Sequence, residues 1–318
     1  MAEYINIRGQ SIEVLASDPA NPTQGQIWYN STSNTLKGLG YAAAAWASGG
    51  NMATARGRLG SAGVINAAIG FGGTNPPTNY NNTEAYDGST WTSATNMPVA
   101  IREVGYSGTE TAALSIGGHT TTIVGTTYEY DGATWTTGGS LGTTRRDSSA
   151  AGTQTASYTT TGGGLNNTEH YNGTSWTTAT VYPTTGEYLM STGTLTAGLT
   201  FGGSTPSLTN ATNEYDGSAW TAGGNLVTAT NGMGGSGIQT ATLAYGGTTP
   251  SITTAALSYD GTSWTSSPAS LSTARNTLAG CGTQTSALGF GGDGAIGFSA
   301  ATEEWTGPAP VTKTITAS

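Results

Sequence analysis

YDGSTWT occupies residues 86–92, and close copies follow as YDGATWT at 130–136, YNGTSWT at 171–177, YDGSAWT at 215–221 and YDGTSWT at 259–265. Five copies at nearly even spacing are an internal repeat, and a repeat fixes the architecture before any single residue does. Asp-Gly between two strand-like runs is the strongest short hairpin signal. It predicts a type I′ turn, with positive φ at both central residues. Tyr and Trp on either side of that turn can pack together and against a neighbouring repeat, supplying apolar area and ring contacts.

Working outward, each copy is preceded by an apolar run that closes in a Gly pair. The runs are IGFGG at 69–73, LSIGG at 114–118, TTTGG at 159–163, LTFGG at 199–203 and LAYGG at 243–247. A sixth, LGFGG at 288–292, leads only to TEEWTG at 302–307, where Trp305 takes the Tyr slot and no second Trp follows. The missing half stands at the other end of the chain. Trp46 lies 26 residues before Gly72, as Trp91 lies 26 before Gly117. Small, Gly-rich segments open the repeats (GSAGVI at 60–65, AAGTQT at 150–155, AGCGTQT at 279–285), suited to a crowded axis. Each repeat therefore reads as four short strands, and the first outer strand completes the last repeat.

A Gly pair, then Tyr and a nearby Trp, resembles the kelch-type β-propellers. The resemblance spans 41–306 and implies an all-β, six-bladed propeller with four-stranded blades, closed by the N-terminal outer strand at Tyr41–Trp46. Residues 1–40 are then an N-terminal arm and 307–318 a C-terminal tail. The DGxxW piece also has a likeness to the Asp-box hairpin of sialidases, but there Asp and Gly are separated by one residue, and here they are adjacent.

Composition limits the partners. Charged residues are 8% of 318, and the net charge is −9, with lysine only at Lys37 and Lys313. Nucleic-acid binding needs a Lys/Arg footprint that this chain lacks, and no polybasic stretch suits anionic membranes. No run approaches a membrane span, and MAEYINIRGQ does not read as a secretory signal. Fifty glycines beside 8 Trp and 15 Tyr placed periodically indicate turns and close packing rather than disorder.

Alternating strand direction puts the tight turns on one face and the divergent loops, such as GGTNPPTNYNN at 72–82 and GGDGAIGFSA at 291–300, on the other. Loops on a rigid scaffold commonly carry function. Arginines cluster at the repeat entrances on that face: Arg56, Arg58, Arg102, Arg145, Arg146 and Arg275. The kelch resemblance implies that Arg58, Arg102, Arg146 and Arg275, with His119 beside them, hold an acidic ligand in a central pocket. Such geometry suits a carboxylate or sulfate. The competing expectation is that they bond loop carbonyls and the acidic neighbours Glu103 and Asp147. Repeats four and five carry Glu187 and Asn231 there instead.

No metal or cofactor is expected. His119 and His170 occupy different strand positions with no third ligand, and Cys281 reads as a small packing residue. Glu84, Glu129, Glu169, Glu214 and Glu303 recur near the rim aromatic, as scaffold residues do. No nucleophile–base arrangement stands out, so the chain is expected not to be an enzyme.

The N-terminal arm contains NPTQGQIWYNSTSNTLKG at 21–38. It reads as strand, polar turn and return, a hairpin with too little core to stand alone. Ile27, Trp28, Tyr29 and Leu36 are its expected docking residues. GQIWYN with a Ser/Thr/Asn turn resembles a motif of tailed-phage structural proteins, of marine and cyanophage type, that precedes a fibre-like domain. That resemblance implies a virion location, outside the cell after lysis. The expected partners are other virion proteins at the arm and host surface polysaccharide at the propeller. The function expected is a tail-fibre or adhesin-like protein for receptor binding and host attachment. A capsid decoration protein, a carbohydrate-active or sialidase-like enzyme and a cellular kelch adaptor are the alternatives. A homo-oligomer is compatible with the chain, though no heptad pattern specifies one.

Overall fold

The computed structural model describes residues 12–204 and 206–315, and all regular structure among them is β-strand. The chain divides into two compact units, Ala45–Thr306 and a second built from Met1–Ala44 with Gly307–Ser318.

Within Ala45–Thr306 lie six four-stranded antiparallel sheets. The first consists of Gly60–Val64, Ala67–Phe71, Thr83–Tyr86 and Trp91–Ala94. The sixth consists of Ala279–Gly282, Ser286–Phe290, Thr302–Thr306 and, as its fourth strand, Ala45–Ser48. Trp305 there faces Trp46 across the ladder, as Tyr86 faces Trp91 in the first sheet. This all-β arrangement of four-stranded sheets is propeller-like. The first strands are neighbours of one another in chain order, and Ala279–Gly282 also adjoins Gly60–Val64.

Packing between sheets follows the same order. Each rim Trp leans on the second strand of the preceding sheet: Trp135 on Phe71, Trp220 on Tyr158, Trp264 on Phe201 and Trp46 on Tyr245. Trp91 leans on Phe290 of the sixth sheet, ring centroids 4.7 Å apart. Rim hydroxyls add a polar link. Tyr86, Tyr171 and Tyr259 donate to Glu304, Glu129 and Glu214 of the sheet before, and Tyr215 meets His170 Nε2 at 2.8 Å.

Three details depart from expectation. The Tyr-Asp-Gly turns are not two-residue type I′ turns: Tyr86 pairs with Trp91, leaving a four-residue loop in which Gly88 has positive φ and Asp87 does not. Asp87 acts through its side chain, whose Oδ1 accepts from the amides of Ser89 and Thr90, an Asx turn. In the third repeat the residues standing where the other repeats have their Gly pair are Thr161–Gly162, and positive φ continues through Gly163 and Gly164. Gly162 donates to Gly186 O at 2.7 Å, as Gly73 donates to Ile101 O in the first repeat. Finally, Tyr41 is not in the outer strand of the sixth sheet, which begins at Ala45.

The second unit is a four-stranded sheet of Glu13–Leu15, Ile27–Asn30, Thr35–Ala42 and Ala309–Thr314. The segment 307–318, expected as a tail, thus supplies a strand, with Tyr41 opposite Pro310. It provides the pairing that the isolated 21–38 hairpin lacked. Trp28 is fully buried, and its Nε1–H donates to Asp18, which also takes Asn30 Nδ2–H and pairs with Lys37 at 2.8 Å. Those contacts hold the Asp18 carboxyl at about 2, the Lys37 bond contributing most. Trp28 is therefore a core residue and not a docking residue. Ile27, Tyr29 and Leu36 are half-buried, the last two directly opposed.

Candidate functional site

Six residues stand at equivalent places, one just before each first strand: Arg58, Glu103, Asp147, Tyr188, Gly232 and Thr277. All six have φ between 47° and 62°. Left-handed backbone is costly for side-chain-bearing residues, Thr above all, and tends to persist where surrounding bonds enforce it. Here they do. Arg58 N–H donates to Thr277 O, Glu103 to Arg58, Asp147 to Glu103, Gly232 to Tyr188 and Thr277 to Gly232, at 2.7 to 3.1 Å. These six residues surround the mouth of a cavity of about 80 Å³, whose walls deeper in are Leu59, Val104, Tyr106, Met190 and Leu278. By volume that is room for a few waters or one end of a small polar molecule. Tyr106 and Met190 also border a second cavity at the other end of the first strands, with Tyr106 Oη 3.8 Å from Met190 Sδ. These two side chains stopper the space between them.

The entrance arginines fall into two sets. Arg56, Arg145 and Arg275 are buried against Glu84, Glu169 and Glu303. Arg275 also donates to the carbonyls of Gly291 and Ala301. It is a scaffold residue, which corrects its expected place in the ligand set. Its charge and bidentate reach suit an acidic ligand, but it sits two residues before the mouth position, on the side turned into the sheet. The other set gathers on one buried carboxylate. Glu103 Oε1 takes Arg58 at 2.5 Å and Arg102 at 3.1 Å, while Arg146 stands 3.6 Å from Oε2. Arg58 also lies under the Tyr188 ring, 5.9 Å from its centroid. His119 is paired through its backbone with Arg102 and does not line the cavity.

Asp147 decides the electrostatics of the mouth. Burial, reinforced by the Glu103 charge, pushes its carboxyl up to about 7 despite Arg58 and Arg146. Tyr188 is pushed up to about 12 by burial and by Asp147. Glu103 Oε2, Asp147 Oδ2, Ser148 Oγ and Thr277 Oγ1 are buried without a hydrogen-bond partner. Arg146 lies within ion-pair range of both carboxylates, at 3.6 and 3.8 Å, without the geometry of a hydrogen bond to either. Unspent hydrogen-bond capacity at a buried wall is costly unless something fills it.

Sequence reading alone did not single out Tyr188, Ser148 or Thr277. Their signal was positional, since each lies at or beside the residue that opens a first strand. Among the described residues no group of three or more His, Cys, Asp or Glu is placed to hold a metal ion. No helix there is long and apolar enough to cross a membrane.

The chain matches no protein-family model and no curated protein. It is similar in fold to a solved structure titled "Structure of YjhT", with TM-score 0.69 at 12% identity. That likeness covers 82% of this chain and 99% of the other. At that identity it supports the propeller-like fold alone.

Proposed function

We propose that Ala45–Thr306 is a six-bladed, kelch-type β-propeller closed by the strand Ala45–Ser48. In this reading it works as a non-enzymatic display module of a phage virion, tail-fibre or adhesin-like, that binds a host-surface glycan. Closure is favoured by three contacts between the first and sixth sheets: Arg58 N–H to Thr277 O, Gly292 N–H to Arg56 O, and Trp91 on Phe290. Ring closure removes exposed sheet edges and makes a rigid disc.

One observation carries the functional reading. Ala45 and Thr306 are paired where the other sheets have their Tyr-Asp-Gly turns, so the chain enters and leaves Ala45–Thr306 at one end of the strands. The cavity with its unpartnered oxygens opens at the opposite end, where the loops diverge. A module whose chain connections lie at one end of its strands, with free hydrogen-bond capacity at the other, is suited to presenting that other end to a ligand. The virion setting rests on the GQIWYN segment and its turn, with Asn30 Oδ1 accepting the amides of Thr32 and Ser33. The half-buried Tyr29–Leu36 pair is the proposed docking patch for other virion proteins.

Imaging purified virions tests this directly. Density for a disc at the tail, cavity end outward, is expected. Discs tiled on the head would make the protein a decoration protein, and absence from virions would end the phage reading.

A further inference from the structure

The free groups of the cavity say what kind of molecule it takes. Glu103 and Asp147 are almost fully buried, yet each keeps one carboxylate oxygen without a hydrogen bond at the cavity wall. The hydroxyls of Ser148 and Thr277 stand beside them in the same condition. These are chiefly acceptors, and they call for a ligand rich in hydrogen-bond donors.

Charge narrows the class. Arg58, Arg102 and Arg146 face Glu103 and Asp147 directly, and Glu187 adds a third negative charge near Asp147. Three guanidinium groups stand against three carboxyl groups, so neither an anion nor a cation meets a whole unopposed charge here. Of the arginines expected to seize a carboxylate or sulfate, Arg58, Arg102 and Arg146 are already turned to Glu103 and Arg275 to Glu303. Shape narrows it further. One side of the mouth presents the half-buried Tyr188 ring, while Gly232 and Thr277 leave the neighbouring side low. An aromatic face beside paired carboxyl groups suits a sugar, whose C–H face packs on the ring while its O–H groups point at the acceptors.

We propose that this cavity binds the terminal residue of a neutral glycan. Glu103 Oε2 and Asp147 Oδ2 accept its hydroxyls, and Tyr188 packs on its C–H face. The Arg146 guanidinium, which is 37% exposed and holds both oxygens only at ion-pair distance, swings aside as the sugar enters. The inference rests on the reading of this end as the ligand end, and it adds the substrate class and the residues.

The test titrates the intact protein with glucose, galactose, mannose and N-acetylglucosamine, and in parallel with glucuronate and glucosamine, by calorimetry or saturation-transfer NMR. At least one neutral sugar should bind, and more tightly than either charged one. Asp147→Ala and Tyr188→Ala should each weaken it about tenfold or more, the loss expected when a charged hydrogen bond or a stacked ring is removed. Ile296→Ser, at a fully exposed loop tip, should change nothing. If Asp147→Ala fails to fold, Thr277→Val keeps the shape, removes one hydroxyl and should still weaken binding severalfold. The proposal is overturned if none of the neutral sugars binds, if glucuronate or glucosamine binds best, or if binding ignores the Asp147 and Tyr188 changes. Whole-polysaccharide binding that survives Asp147→Ala would sink this cavity and leave the adhesin reading standing. No binding to any surface polysaccharide would sink both.

Discussion

The amide of Arg58 donates to the carbonyl of Thr277 at 2.9 Å, tying the entrance of the first sheet to the entrance of the sixth. Both residues have left-handed backbone, φ 54° and 47°, and both line the same cavity. One contact thus belongs to the architecture and to the candidate site at once. The run of backbone bonds from Tyr188 through Gly232, Thr277, Arg58 and Glu103 to Asp147 holds these entrances in order, and Arg58, Glu103, Asp147 and Tyr188 line the cavity.

If Ala45–Ser48 closes the sixth sheet, truncation should be sharply position-dependent. Removing residues 1–43 together with 308–318 should leave a folded, monomeric Ala45–Thr306. Removing residues 1–48 exposes Thr302–Thr306 as an open edge and strips Trp46 from Tyr245 and Trp305. That second chain should aggregate or melt many degrees lower. Circular dichroism melts and gel filtration check both. Equal stability of the two would argue against closure.

The buried pair Arg275–Glu303 should behave as a scaffold pair. Glu303→Leu leaves a buried guanidinium without its partner and should cost about 3–5 kcal/mol. Arg275→Met with Glu303→Leu should recover most of that loss, because three other repeats manage with Ile101/Tyr128, Gly186/Asn213 and Thr230/Leu257 at these positions. Urea denaturation of the two single variants and the double variant gives the cycle.

Asp147 should make stability fall as pH rises. Its folded carboxyl titrates at about 7, against ~3.9 in an unfolded chain. Between those values the folded protein holds a proton that the unfolded chain has released. The stabilisation is complete below about pH 4 and is lost as pH rises through about 7. For this buried group the whole window is worth on the order of 4 kcal/mol. Asp147→Asn mimics the protonated form and tolerates left-handed backbone. It should match the wild type near pH 4 and melt higher than it at pH 8. A variant equally or less stable at pH 8 would refute this.

Cys281 should be inert in the native protein. It is buried on an inner strand, and burial pushes its thiol up to about 12, so little thiolate exists to react. An aromatic disulfide reagent should label it only at the rate of unfolding and fully in denaturant. Fast native labelling would mean that the first strands open readily.

Much of this fold was legible because its signals repeat. The Tyr–Trp spacing located the third and fourth strands, and Trp46 correctly announced a strand paired beside Trp305. What failed were features with a local or unrepeated cause. Asp87 acts through its carboxylate rather than its own φ, so Asp-Gly pointed to the wrong turn. Thr161 adopts a conformation that Gly normally marks, so the position equivalent to the first Gly of the pair falls one residue before the GGG run. Ala309–Thr314 carries no repeat signature, so its pairing with Thr35–Ala42 was invisible. At the site, arginines were visible as charges, but a two-residue offset separates Arg56 in the sheet from Arg58 at the mouth. Only backbone geometry sorts them. Tyr188 and Thr277 resemble dozens of other Tyr and Thr in the chain until the left-handed positions line up.

The most direct measurement is a glycan array probed with the wild-type protein beside Tyr188→Ala and Asp216→Asn, a mouth variant and a rim variant. Binding of the wild type to glycans with neutral ends, lost in Tyr188→Ala and kept in Asp216→Asn, is the result predicted. No binding by the wild type, or binding lost at the rim and kept at the mouth, would contradict the account.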